Sequence, residues 1–495
     1  MISYYKFLGS IMMEYGGNDM ETVWQRRVES AVKKSIRGSI FAGFNTNVDA
    51  VVHCNGDSIA NLFQDPDVSL DTANALDVSQ IETIREKNEF VAVLKDALGK
   101  GKSFYIILEN LALLDWLDEV FSNRQELMGG QAGIIANQMA ALEAKTIVYT
   151  SLLSRKQATM FFPQVLYPVF EDDLQLIPVH QAYNPDDQLK INWIFEYAKG
   201  IEFDFGGEKV VSPRANRVIL ATRPPGVVMG FAGEIHEHLP EFGSKIDVAF
   251  LAGYHYAPSE DPELTEYLDE VTNSIRMLKA GNPNIHLHYE YVPMKDQAAE
   301  KRVLTTISKE FHSFGINENE IRRVLDGFGY QEEYKEIVDN ERAFSLYRGA
   351  LRLMEQLHFS RFHVHNLGYY VLVLKKPYPV APEVVRDCCL FGSSVNAIKA
   401  KYGGYVTKAQ VSEAAEFGLS DLGLRQLKRF YEEAKQLGLD IPDNFCEEGI
   451  WDHGGCYVLV VPAHVIPNPV STVGMGDTIS SSCYASEYSS VLASR

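Results

Sequence analysis

Two glycines and an aspartate stand in the order Gly474-Met475-Gly476-Asp477, between an apolar run at residues 456–466 (CYVLVVPAHVI) and a stretch of small residues without a breaker at 479–490. The pattern predicts strand, glycine turn, helix. Without a Cβ at 474 and 476 the backbone can come close to a ligand, and the opening turn of a helix leaves amide N–H groups unpaired. The amides of Gly474, Met475 and Gly476 then make an anion hole. At its rim, the Asp477 carboxylate can take a proton from a hydroxyl attacking a phosphorus atom held by those amides, which is phosphoryl-transfer chemistry. Taken alone, so short a string reads more simply as a turn whose aspartate caps the helix.

Three further groups of residues bear on that choice. An apolar strand from residue 39 ends in Asn45-Thr46-Asn47-Val48-Asp49, and open α/β sheets bind ligands at the C-terminal ends of their strands. Asparagine both donates and accepts while aspartate accepts from hydroxyls, so Asn47 and Asp49 suit a polyol, although an Asx turn explains the cluster as well. His288-Tyr289-Glu290 ends another apolar run, and residues two apart on a strand share a face. A carboxylate there can hold the water shell of Mg2+; a local polar pair is the plainer reading. Lys190, Arg214, Arg217 and Arg223 cluster in a strongly acidic chain. Guanidinium forks match phosphate oxygens, but any one basic residue is more often a solvated surface charge.

The string from Asn468 to Thr478 (NPVSTVGMGDT) resembles the ribokinase superfamily and, within it, the archaeal ADP-dependent sugar kinases. GFNTNVDA at 43–50, MGGQAGIIAN at 128–137, IFEYAKG at 194–200, RANRVI at 214–219 and HYE at 288–290 are similar to further segments of that family. The resemblance implies sugar contacts from Asn47, Asp49, Gly130 and Gln131. It implies a sugar 6-phosphate held by Lys190 and Arg217, and a Mg2+ site around Glu290 and His288 with Asp477 beside it. It also implies ADP as the donor, leaving AMP, since nothing in spacing or composition separates ADP from ATP. Glucokinases of the family carry a lid glutamate just after a Gly-Lys turn; here Gly101-Lys102 is followed by no acid before Glu109. The expected reaction is therefore transfer of the β-phosphate of Mg-ADP to fructose 6-phosphate, giving fructose 1,6-bisphosphate and AMP, as in the family's phosphofructokinases. A glucokinase or an enzyme accepting both sugars is the alternative. A non-catalytic sensor of sugar or nucleotide would be favoured by a broken turn or a missing Asp477, and both are intact.

The elements that must position these groups follow from patterning. From residue 246 onward apolar strands alternate with amphipathic helices: 246–253, 284–290 and 361–374 as strands, 262–278, 295–311 and 408–437 as helical stretches. That rhythm predicts an α/β fold, a doubly wound, mostly parallel sheet with helices on both faces, ribokinase-like by resemblance. Residues 49–125 and 174–223 break the rhythm and read as a smaller α+β lid that binds substrate. Residues 1–48, 126–173 and 224–495 then form the larger, nucleotide-binding part. An amphipathic helix is expected around 20–35.

Composition narrows the partners. The 495 residues include 66 acidic and 46 basic ones, a formal charge of −20, which argues against nucleic acid or an acidic membrane. No apolar run reaches the ~18 residues of a membrane span, and the first residues lack a basic leader, so a cytoplasmic protein acting on small molecules is expected. The six cysteines have no paired spacing and read as reduced thiols.

Overall fold

Runs rich in β-branched and aromatic residues become buried strands, and the periodic stretches between them become helices. The computed structural model describes residues 17–170, 173–470 and 472–492 and gathers the strands into an 11-stranded sheet, a six-stranded sheet and a two-stranded ribbon. From one edge to the other the large sheet runs Ile450–His453, Cys456–Pro462, Tyr369–Lys375, Arg361–Asn366, Ser313–Asn317, His286–Glu290, Val248–Ala252, Ser39–Phe44, Lys145–Tyr149, Leu166–Phe170 and Leu174–Pro178. Its centre, from Arg361–Asn366 to Leu166–Phe170, is parallel throughout, and antiparallel pairings occur only towards the edges. The central strands are buried along nearly their whole length, as a sheet covered on both faces requires. Helix Met475–Leu492 lies across four of them, from Val248–Ala252 to Arg361–Asn366, and packs on Pro382–Tyr402 and Gln131–Ala141.

The smaller sheet has the order Thr83–Ile84, Phe104–Leu108, Asn216–Thr222, Ile191–Tyr197, Asn47–His53, Gln125–Gly129. One face is apolar: Val48, Ala50, Trp193, Phe195, Val218 and Leu220 bury against helix Lys87–Lys100. The residues between them in sequence, Asn47, Asp49, Asn192, Ile194, Arg217 and Ile219, point the other way, because side chains alternate along a strand. The chain enters this sheet through Asn45 and Thr46, straight from the end of Ser39–Phe44, and leaves it at Gly129 and Gly130.

Several expected boundaries move. Strand Gln125–Gly129 belongs to the smaller sheet and Leu174–Pro178 to the larger one, so the crossings lie near 130 and 190 and not at 126 and 174. The single strand expected over 361–374 is a hairpin, since Leu367-Gly368, with Gly368 at φ +95°, reverses the chain. The helical stretch at 408–437 divides into Gln410–Glu416 and Asp421–Gln436, the second capped by the Ser420 hydroxyl, which accepts from the Gly423 amide. The first helix runs Gly17–Ala31; residues 1–16 lie outside the described part, as does Ser471. All six cysteines are free, and no helix among the described residues is long and apolar enough to cross a membrane.

Candidate active site

The polar face of the smaller sheet and the C-terminal ends of the parallel strands enclose a cleft of about 920 Å3. Asn47, Asp49, Gly130, Gln131, Arg217, Gly474 and Asp477 all line it, although they come from four separate stretches of chain. A second void, walled by Phe44, Phe231 and Tyr267, is apolar and holds about 10 Å3, too little for more than one water.

At one end of the cleft is the glycine turn. Gly474 has φ +65°, and a Cβ there would lie 2.9 Å from the Ile134 side chain, so glycine is required for both conformation and space. The helix that follows begins its ladder with the Thr478 amide donating to the Gly474 carbonyl at 3.0 Å. The amides of Met475, Gly476 and Asp477 come before that bond, in the turn where helical amides lack a partner of their own helix. Asn396 Nδ2 donates to the Met475 carbonyl at 3.0 Å and ties the turn to the neighbouring helix. Asp477 is half-buried at the cleft wall, and burial, followed by the charge of Glu290, pushes its carboxyl up to about 7.

Along the sheet face, Asn47 Nδ2 donates to Asp49 Oδ1 at 2.6 Å, and Asn192 Nδ2 to the same oxygen at 3.2 Å. Burial raises the Asp49 carboxyl to about 6 despite these bonds. Gly130, at φ +74°, passes against the backbone of Asn45 and Thr46: a Cβ would fall 2.8 Å from the Thr46 Cα. That close passage brings Gln131, at the head of its helix, to Asn45, whose Nδ2 donates to Gln131 Oε1 at 2.5 Å. Groups able to bind hydroxyls are thus already linked to one another, which holds their side chains in place.

The cations divide differently from the expectation. Arg217 reaches the cleft, but Lys190 is only 3% exposed and sits behind Asn45, its Nζ donating to Asn45 Oδ1 at 2.6 Å. Burial and then the charge of Arg223 bring its pKa down to about 7. Arg214 turns away, its Nε donating to the Gly101 carbonyl at 2.5 Å. Arg223, one of the four cations noted in the sequence but left out of the expected set, lines the cleft with its guanidinium 4.6 Å from the centroid of Tyr256; Lys190 lies 5.1 Å from the same ring. Arg217, Ile219 and Arg223 are two or four residues apart along strand Asn216–Thr222 and its extension, which is the alternation that identifies Arg223.

Glu290 and His288 do not stand in the cleft lining. His288 is fully buried, with Nε2 2.8 Å from Glu290 Oε2 and Nδ1 2.8 Å from Ser313 Oγ. Both ring nitrogens are occupied, which corrects the expectation that His288 faces an ion. Glu290 also pairs with His365 Nε2 at 3.5 Å. Burial alone would raise the Glu290 carboxyl, but the bonds and charges of His288 and His365 outweigh it and hold the group below the usual carboxylate range. Glu320, unmarked in the sequence reading, faces the same region: burial pushes it up to about 7, with His365 and Glu290 both acting on it. Its signal was the pattern Asn317-x-x-Glu320 at a strand end, where Asn317 caps helix Glu318–Phe328 and Glu320 reaches back to the Asn317 amide at 2.8 Å.

Among the described residues no three His, Cys, Asp or Glu side chains are gathered to ligate a metal directly. A hydrated dication fits beside the amide turn: Glu290, Glu320 and Asp477 act on one another electrostatically, and burial, with the charge of Glu290 added, raises Glu320 and Asp477 to about 7. Gly315 makes the space, since a Cβ there would lie 2.5 Å from Glu290 Oε2. A last carboxylate was missed beside strand Thr83–Ile84 of the smaller sheet. Glu109 turns to Arg85 at 2.9 Å and to Thr83 at 2.6 Å, outside the cleft, whereas exposed Glu82 lines it.

Residues 38–486 match the model of the ADP-specific phosphofructokinase/glucokinase conserved region. An ADP-specific phosphofructokinase of Pyrococcus furiosus is 32% identical over 453 residues, 90% of this chain and 96% of the relative. The ADP-dependent glucose/glucosamine kinase of the same organism is 24% identical over 95% of this chain and 99% of its own length. Among solved structures, the last common ancestor of ADP-dependent phosphofructokinases from Methanosarcinales superposes with a TM-score of 0.83 at 33% identity, covering 95% of this chain and 98% of that one. An ADP-dependent kinase in complex with fructose 6-phosphate and ADPβS gives 0.79 at 31% identity, covering 95% and 97%. A match over residues 38–486, with the motif-bearing strands and turns gathered round one cleft, makes this chain a member of the ADP-specific phosphofructokinase/glucokinase family.

Proposed function

We propose that this protein transfers the β-phosphate of ADP to fructose 6-phosphate, forming fructose 1,6-bisphosphate and AMP. One observation carries the reading: a single cleft holds the amide turn and Asp477 at one end, and Asn47, Asp49, Arg217 and Arg223 on the sheet opposite. The amides of Met475, Gly476 and Asp477 bind the transferred phosphoryl group as its charge spreads over its oxygens. Asp477, raised to about 7, accepts the proton of the sugar hydroxyl, a pKa close to the working pH being the best compromise for a base. Asn47, Asp49, Gly130 and Gln131 orient the sugar ring. Arg217 and Arg223 take the 6-phosphate as forks, and the arriving dianion restores the proton to Lys190 behind them. Glu290 and Glu320 hold the water shell of Mg2+, which when bound neutralises the charge of the diphosphate. The six-stranded sheet with its helices is the lid that excludes water during transfer, since an open site hydrolyses its donor. Free cysteines and phosphorylated substrates suit the cytoplasm.

Glu82 supports a second, weaker activity. A carboxylate in the cleft can accept from a hydroxyl of free glucose, so low glucose turnover is expected beside the main reaction. The test is purified protein with Mg2+, ADP or ATP, and a panel of free and 6-phosphorylated sugars. AMP and fructose 1,6-bisphosphate formed in equal amounts are expected. Failure to form AMP with every sugar overturns the reading.

A further inference from the structure

We infer that Ser313 and Arg361 are positioning residues for phosphoryl transfer: through a buried relay they select the tautomer of His288 and so fix the direction of the Glu290 carboxylate. The inference rests on the role proposed above for Glu290.

His288, Ser313 and Arg361 lie side by side in register on three adjacent parallel strands. Arg361 Nη1 donates to Ser313 Oγ at 3.1 Å, Ser313 Oγ is 2.8 Å from His288 Nδ1, and His288 Nε2 is 2.8 Å from Glu290 Oε2. At the far end Arg361 Nε donates to Glu487 Oε2 at 3.0 Å, Nη2 donates to Cys483 Sγ at 3.1 Å, and the Tyr378 hydroxyl donates to Glu487 Oε1. Arg361, Ser313, His288 and Glu487 are all 0% exposed.

The direction of each bond follows from chemistry. A guanidinium has no acceptor, so the Ser313 oxygen accepts from Arg361 and keeps its own proton to donate to His288 Nδ1, while Glu290 as a carboxylate takes a hydrogen from Nε2. Nδ1 therefore carries the lone pair and Nε2 the hydrogen, which is donated to Glu290. The other neutral tautomer would set a nitrogen lone pair against a carboxylate oxygen at 2.8 Å, two acceptors in a dry site. Burial disfavours a second proton on the ring against the pull of Glu290, and the positive charge of Arg361 adds to that effect.

Packing alone does not call for this relay. A fully buried Arg–Glu pair loses hydration that apolar residues of the same volume would never need to lose. What the pair does here is supply a permanent donor at one end of a row whose other end is Glu290. With Oε2 held by His288, Oε1 is left to His365 at 3.5 Å, and the charge of Glu290 acts on Asp477. Partners one step removed from an ion's ligands commonly change metal affinity 10–100-fold when lost.

The experiment joins a structural and a binding measurement. Long-range 1H–15N spectra of 15N-histidine-labelled protein, with the His288 signals assigned by their loss in His288→Gln, report which ring nitrogen carries hydrogen. Binding of Mn2+ to the protein–ADP complex is followed by water-proton relaxation. Wild type is expected to carry hydrogen on Nε2 of His288 alone. Ser313→Ala, with folding checked by its melting curve, is expected to mix the tautomers, to weaken Mn2+ binding about tenfold and to leave sugar KM within about twofold. Ser313→Thr, which keeps the hydroxyl, restores the wild-type pattern. Hydrogen on Nδ1 in the wild type overturns the relay whether or not the variants fold. So does a folded alanine variant with unchanged tautomer and unchanged Mn2+ affinity. If the wild type makes no AMP, the proposed function falls, while the tautomer measurement still judges the relay.

Discussion

Replacing Asp477 by asparagine should separate catalysis from stability in opposite directions. The carboxyl sits in a wall where burial and the charge of Glu290 raise it from 3.8 to about 7. That difference corresponds to about 4 kcal/mol at 1.36 kcal/mol per tenfold, and water in the cleft reduces it to roughly 2 kcal/mol. Because the folded value lies above the unfolded one, folding takes up a proton between these pH values, and the charged aspartate weighs against the folded state. The penalty is absent below pH 3.8, grows as pH rises, and is complete above about 7. Asparagine has the same shape and no charge, so Asp477→Asn should melt higher than wild type at pH 8 and nearly with it at pH 4.5. Unfolding entropy grows with length, so for 495 residues the gain at pH 8 amounts to about 2 °C. Turnover with ADP and fructose 6-phosphate should fall ~10²–10⁴-fold, the usual loss on removing a general base, while nucleotide affinity stays near wild type. The assays are coupled AMP release at saturating substrates and paired melting curves at the two pH values. An asparagine variant keeping more than a tenth of wild-type turnover would falsify the base assignment. Equal melting shifts at both pH values would refute the electrostatic argument.

Arg223→Ala should raise the KM for fructose 6-phosphate about tenfold to a hundredfold, since a charge-assisted bond contributes about 1.5–3 kcal/mol, and should leave glucose kinetics unchanged. Equal loss with both sugars would assign Arg223 to the nucleotide or to lid closure. Glu82→Ala should remove glucose turnover while fructose 6-phosphate turnover stays within about twofold; a matching fall in both would mean that Glu82 reads the phosphorylated sugar. Gly130→Ala meets the Asn45 and Thr46 backbone at a φ of +74°, so it should lose about 1–3 kcal/mol of stability and raise sugar KM. An unchanged melting temperature would show that the crossing backbone yields easily.

Short-range order was legible in the residues themselves. The turn at Gly474–Asp477 depends on a conformation that glycine alone takes without strain, followed at once by a helix, so strand, turn and helix could be read from neighbours in sequence. The same holds for Asn47 and Asp49, which alternate on one strand, and for the strand–helix rhythm that implies a parallel sheet with covered faces. Long-range placement was not legible. Lys190 and Arg223 looked equivalent as basic residues, and only the packing of the smaller sheet against Asn45 buries one and leaves the other in the cleft. In sequence His288 reads as a ligand beside Glu290, and only the alignment of strands 313–317 and 361–366 brings Ser313 to its second nitrogen and Arg361 to Ser313. Glu82 reaches the cleft from a part of the chain far from any motif, and Glu320, marked only by its capping pattern, comes beside Glu290 through packing. Backbone conformation is set by each residue and its neighbours, whereas burial, charge and the direction of a side chain depend on groups tens to hundreds of positions away, which the fold alone brings together.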